Sequence, residues 1–186
     1  MHTVSQAADY LRRTHSDSPI VLAAEATYPE TEYGWIAPGA SVTSERAGSI
    51  FRVRDFAEKP SYRVAERMFT ERWLWNTMVL VARGASLLEF FRRAVPELVA
   101  CFEILQRYVG SHVEQKVMDE VYRIIPSLNF SSAVLAHQSD RWLVLPTRQM
   151  RWSDWGNKER IIQSIASLRD AAHMSLTPTA GLGLLA

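Results

Sequence analysis

Five short apolar segments, rich in β-branched and aromatic residues, are interleaved with stretches of helical spacing, and this alternation sets the architecture. The segments are Ile20–Ala24, Tyr33–Ala37, Ile50–Phe56, Leu74–Ala82 and Trp142–Pro146. Each is short and bounded by turn formers, as strands are. In the third, Phe51 and Val53 alternate with Arg52 and Arg54, which predicts one buried and one wet face. Pro38-Gly39 reads as a turn closing the second strand. Between the strands, Val4, Ala7, Ala8 and Leu11 recur at helical spacing, and Val64, Met68 and Phe69 mark a short helix after Pro60. Ser86 is placed to cap a helix carrying Leu87, Leu88, Phe90 and Phe91, and Pro96 starts another that runs to about Tyr108. Ser111 to Glu114 has capping-box spacing ahead of Val113, Val117, Met118 and Val121. A short helix is predicted over 129–136, and Asn157 caps a last one bearing Ile161, Ile162, Ile165 and Leu168. Interspersed strands and helices predict an α/β domain. No internal repeat or linker divides the chain, so residues 1–176 read as one domain. Residues 177–186, rich in Gly and Leu and without periodicity, read as a loosely ordered tail.

Charge and cysteine content narrow the function. The chain carries 21 basic and 20 acidic residues, a net charge of +1, so nothing points to nucleic acid as a partner. The local cluster Arg148, Arg151, Lys158 and Arg160 reads as a solvated face. A single cysteine, Cys101, excludes an internal disulfide and fits a reducing cytoplasmic setting. It lies in the run Leu98-Val99-Ala100-Cys101-Phe102, as a small buried hydrophobe would. Apolar stretches such as Met78–Ala82 are too short to span a bilayer, and the N-terminus lacks a signal-like apolar region.

A few residues carry chemistry. Glu58-Lys59-Pro60 closes the third strand; a carboxylate beside an ammonium suits sugar hydroxyls and a phosphate, and equally suits a surface ion pair. Tyr33-Gly34 offers a backbone that a ligand can approach, or a strand bulge. Asn76, polar inside the apolar strand Leu74–Ala82, needs a partner from the protein or from a substrate. Asp154 follows the fifth strand and precedes the Asn157-capped helix, either as a turn residue or as an oxygen ligand for a divalent cation. The histidines are scattered, and no Gly-x-Gly-x-x-Gly, Cys-x-x-Cys or Gly-x-Ser-x-Gly arrangement serves as a phosphate loop or nucleophile.

In order, these motifs are specific. Pro29-Glu30-Thr31-Glu32-Tyr33-Gly34-Trp35-Ile36, Phe56-Ala57-Glu58-Lys59-Pro60, Leu74-Trp75-Asn76-Thr77, Phe130-Ser131-Ser132-Ala133-Val134-Leu135 and Trp152-Ser153-Asp154-Trp155-Gly156 together resemble the sugar-1-phosphate nucleotidyltransferases, and within them the mannose-1-phosphate guanylyltransferases. The resemblance runs from about residue 18 to 165. It implies a partial Rossmann-like domain, a mixed sheet with flanking helices. It implies transfer of a nucleotidyl group from GTP to mannose 1-phosphate, giving GDP-mannose and pyrophosphate, with Mg²⁺ as cofactor. By the same resemblance Tyr33, Gly34, Glu58 and Asn76 hold the sugar, Lys59 its phosphate, and Asp154 the metal.

Three departures accompany the match. The family's Gly-rich triphosphate loop has no counterpart ahead of these motifs, and the second acidic metal ligand is expected upstream of Met1. The bulky pair Arg72-Trp73 stands where the family has small residues and is expected to narrow the sugar pocket. The chain therefore reads as a truncated sugar-binding part, with a noncatalytic sugar-phosphate-binding remnant, or one half of a split enzyme that takes GTP with its complement, as alternatives. An exposed sheet edge, left by the missing strands, is expected to invite association.

Overall fold

The computed structural model describes residues 2–43, 49–147 and 152–176. The tail expected over 177–186 lies outside the described residues, as do Arg148 and Arg151. Contacts sort the chain into two compact units, 1–150 and 151–186, where the sequence alone suggested one domain to residue 176.

The first unit is a mixed sheet with flanking helices. Its strands are β1 (Ile20–Glu25), β2 (Gly34–Ser41), β3 (Phe51–Glu58), β4 (Leu74–Val81) and β5 (Leu143–Thr147). Their order is β1-β4-β2-β3-β5, closing into a barrel. β1 and β5 run parallel, and the other pairs are antiparallel. The expected open edge is thus closed at one end, because Phe51 pairs with Val144 and Arg52 with Leu143.

Strand alternation explains the two cores. Val21, Ala23, Ile36, Phe56, Leu74 and Val144 face one side, where they pack with Phe90, Val134, Leu135 and Trp142. Ile20, Leu22, Leu143 and Leu145 face the other, against Ala7 and Leu11 of α1 (His2–Thr14). Trp142 is fully buried, edge-on to Phe90 at 5.1 Å and to Phe130 at 6.0 Å. Such burial contributes about 2–3 kcal/mol per large side chain.

Pro38 and Gly39 do not end β2. They lie inside it, between two register shifts, where the ladder is already broken and the missing proline N–H costs little. The extra residue on β3 rephases that strand, so Val53 and Phe56 are buried while Arg52, Arg54 and Asp55 are exposed.

Helix ends differ from expectation at two places. α3 (Gly84–Ala94) begins before Ser86, whose hydroxyl donates instead to Asp17 Oδ1 at 2.9 Å. α5 (Glu114–Ile124) begins at Glu114, whose carboxylate reaches back to the Gly110 N–H at 2.6 Å, and Ser111 does not cap it. α4 (Pro96–Gln106) starts at its proline as predicted. Residues 131–135 form a π-helical turn that runs into a 3₁₀ segment over 136–141. No helix among the described residues is long and apolar enough to cross a membrane.

α2 (Tyr62–Thr70) closes with the hydrogen-bond pair usual for a glycine stop: Trp73 N to Met68 O at 2.9 Å and Arg72 N to Phe69 O at 3.1 Å. Arg72 holds the left-handed position at φ 59°. Arg72→Gly is expected to stabilise the protein by about 0.5–1 kcal/mol, because the left-handed penalty disappears and exceeds the added chain entropy. A thermal melt checks this; a lower midpoint would contradict it.

Candidate functional site

Register across β3, β2 and β4 brings three of the sequence-predicted residues together. Gly34 pairs with Glu58, and Trp35 with Trp75, which sets Gly34 alongside Asn76. A Cβ on Gly34 would meet Glu58 Oε2 at 2.8 Å, Phe56 Cζ at 3.1 Å and Asn76 Cβ at 3.2 Å. Gly34 thus lies at the bottom of a tight notch between a carboxylate and an amide, too narrow for a Cβ. Glycine is needed there for space.

Glu58 is only partly buried as a residue, yet its Oε2 is buried and has no hydrogen-bond partner. Burial pushes its carboxyl above the usual glutamate value, against the opposing pull of the Lys59 charge and of the nearby Ser131 hydroxyl, whose proton is directed to the Met78 sulfur and leaves Oε2 without a donor. An acceptor of this kind is suited to a donor brought by a ligand. Ser131 opens the π-helical turn and was part of a sequence motif, but its place beside Glu58 follows only from the fold.

Asn76 is 4% exposed and locally satisfied. Its Oδ1 accepts from Met78 N at 3.0 Å and its Nδ2 donates to Met78 Sδ at 3.0 Å. This pairing sits in a bulge, since Leu22 pairs with Val79 and Ala23 with Asn76, which leaves Thr77 and Met78 extra on β4. Thr77 Oγ1 anchors the bulge by donating to Leu22 O at 2.6 Å.

Lys59 follows the strand at φ 45° and its N–H donates to Tyr33 O at 3.2 Å. Its ammonium lies 3.4 Å from Glu32 Oε2, and both side chains are more than half exposed. Such a pair is weak and readily exchanged for a phosphate. The Tyr33 ring is 3% exposed and packs edge-on to Trp75 at 5.2 Å, so it is its backbone that adjoins the notch. Trp75 also meets Tyr28, whose phenol is pushed up to about 12 by burial, with Tyr33 and Glu30 adding to the rise. Glu30 Oε1 accepts from Thr31 N at 2.8 Å and Glu32 N at 2.9 Å, which stiffens the loop entering Gly34.

Arg72 and Trp73 do not narrow this notch. They line a separate cavity of about 570 Å³ with Glu25, Phe51, Phe69 and Pro146. Trp73 is drawn away by its Nε1 bond to Glu71 Oε2 at 3.0 Å.

Asp154 belongs to the second unit. Arg160 Nη1 donates to both its carboxylate oxygens, at 2.9 and 3.0 Å, and Gly156 N donates to Oδ1 at 2.9 Å. Asn157 Oδ1 accepts from Arg160 N at 2.9 Å, the cap expected for α6 (Lys158–Leu176). A carboxylate gripped by a guanidinium does not fit Mg²⁺, which takes several oxygen ligands. No group of three or more His, Cys, Asp or Glu among the described residues is placed to hold a metal ion.

Comparison with known proteins follows the same lines. The family described as nucleotidyl transferase matches residues 1–171. Mannose-1-phosphate guanylyltransferase ManC of Salmonella typhimurium is 28% identical over 131 residues, 69% of this chain and 27% of its own length. A mannose-1-phosphate guanylyltransferase of Escherichia coli is 27% identical over 135 residues, 70% of this chain and 28% of its own. The chain therefore spans a little over a quarter of these curated relatives. Among solved structures, a protein described as mannose-1-phosphate geranyltransferase from Thermus thermophilus superposes with a TM-score of 0.63 at 30% identity, covering 81% of this chain and 41% of that one. A mannose-6-phosphate isomerase from Helicobacter pylori reaches a TM-score of 0.62 at 15% identity over 82% of this chain and 57% of its own, a likeness of fold alone.

Proposed function

This chain belongs to the nucleotidyl transferase family, and on that premise we propose that its Glu58–Gly34–Asn76 notch binds the sugar of a hexose 1-phosphate, mannose 1-phosphate being the leading candidate. The observation that carries the reading is the buried, unpartnered Glu58 Oε2 beside a glycine with no room for a side chain. Glu58 accepts from a sugar hydroxyl, the Tyr33-Gly34 backbone lies against the ring, and Lys59 leaves Glu32 to neutralise the phosphate. The relatives' names support mannose and a guanylyl group.

The reaction of this reading is nucleotidyl transfer in a cytosolic setting. An oxygen of the sugar phosphate attacks the α-phosphorus of GTP, a new P–O bond forms, the α–β bond breaks, and pyrophosphate leaves. This chain's residues supply the sugar side by positioning the attacking phosphate.

A noncatalytic sugar-phosphate-binding role is favoured as the second reading by the Arg160 grip on Asp154. Calorimetric titration with mannose 1-phosphate tests the first part of the proposal. A dissociation constant between about 1 µM and 1 mM, the range of ordinary substrates, is expected. No heat of binding from a cooperatively folded sample would overturn it. Pyrophosphate release with GTP, Mg²⁺ and mannose 1-phosphate then separates the two readings: release above a Glu58→Ala control supports transfer, and binding without release supports the noncatalytic role.

A further inference from the structure

We propose that Met78 is a built-in gate of the sugar notch, its thioether standing where a hexose hydroxyl binds and swinging out when the hexose enters. The inference rests on the reading of Glu58, Gly34 and Asn76 as a sugar site.

Met78 lies in the left-handed region at φ 58°, an uncommon place for a linear, unbranched side chain without polar atoms to compensate. The Thr77 bond to Leu22 fixes the bulge that puts it there. The Met78 N–H holds Asn76 Oδ1, which fixes the orientation of that amide and turns Nδ2 onto the Met78 sulfur at 3.0 Å. From the other side the Ser131 hydroxyl donates to the same sulfur at 3.2 Å. Two good donors thus converge on a thioether, one of the weakest acceptors a side chain offers.

A few atoms away, Glu58 Oε2 is an acceptor that lacks a donor. Two donors meeting a weak acceptor, next to an acceptor without a donor, are complementary to vicinal hydroxyls. One hydroxyl oxygen accepts from Asn76 and Ser131, and a hydroxyl hydrogen goes to Glu58. Met78 is 46% exposed and its side chain is unbranched, held only by two weak bonds to its sulfur, so solvent offers it a place to go. Its displacement opposes binding, and its removal favours it.

The test uses the full chain with mannose 1-phosphate as the probe. Calorimetry compares wild type, Met78→Gly and Met78→Ala. Both variants are expected to bind about tenfold tighter. Met78→Ala keeps a side chain at the left-handed position, so tightening in both separates an emptied notch from relieved backbone strain. In ¹³C-methyl-methionine protein, the Met78 methyl signal, assigned through Met78→Leu, is expected to shift at saturation. Equal affinity in all three proteins, or an unmoved methyl signal at saturation, would overturn the gate and leave the sugar site standing. Absence of binding in all three, with cooperative melts, would overturn the sugar site and the gate with it.

Discussion

Gly34→Ala is expected to reduce sugar-phosphate affinity by at least about a hundredfold, the equivalent of some 2.7 kcal/mol, and to lower stability by a further 1–3 kcal/mol, roughly the cost of overpacking. The new methyl would lie 2.8 Å from Glu58 Oε2, 3.1 Å from Phe56 Cζ and 3.2 Å from Asn76 Cβ. Phe56 is held in the core, and Asn76 Cβ is fixed to its strand. The Glu58 carboxylate is the far end of a flexible side chain, so it moves first. Relief therefore comes at the expense of the one acceptor that the ligand needs, and binding falls further than stability. Calorimetric titration and a thermal melt on the same sample check both effects. Unchanged affinity in the variant would show that the ligand does not use this notch.

Glu58→Gln is expected to weaken binding about ten- to a hundredfold, the loss of a charge-assisted hydrogen bond, while making the free protein more stable at neutral pH. Burial is the main reason that the folded carboxyl has a raised pKa. The folded state therefore favours the protonated acid. The stability contributed by this group is complete below the unfolded glutamate value and is lost as pH rises through the raised folded value. Wild type is expected to lose stability across that window, and Glu58→Gln to lose none from this source. Urea midpoints taken from about pH 4 to pH 7, either side of the ordinary glutamate value, read the difference directly. Affinity for the sugar phosphate runs the opposite way, rising with pH through the same window, since the ionised carboxylate is the better acceptor. Parallel pH profiles for the two proteins would refute the assignment.

Strand identity was legible because short apolar, β-branched runs bounded by turn formers, such as Ile20–Ala24 and Leu74–Ala82, suit buried strands and are too short for helices. Glu58, Gly34 and Asn76 were legible as an ordered set, but that they form one row depends on the register of β3, β2 and β4. Met78 was not legible. Its position follows from a bulge fixed by Thr77 on Leu22, 55 residues away, and no local pattern encodes that contact. Ser86 and Ser111 show the converse: local capping chemistry was present, but Asp17 captured the first and Glu114 supplied the second site's bond. Arg72 and Trp73 misled for a similar reason. The expected narrowing rests on the small residues that the family has at these positions, whereas the turn that ends α2 sends Arg72 and Trp73 into another cavity.

The parallel pairing of β1 with β5 has a kinetic consequence. Thr147 Oγ1 donates to Ala23 O across 124 residues of chain, at the seam where the barrel shuts. Contacts that distant require a large loss of chain entropy before they return any energy, so the seam is expected to be the slow step of folding. During synthesis, β1 through β4 emerge before β5 and must wait for it with that edge of β1 open. The notch is made wholly of those earlier strands, yet β5 pairs Pro146 with Ala23, the residue that Asn76 itself pairs with. The notch would therefore acquire its rigidity only after residue 147 has left the ribosome.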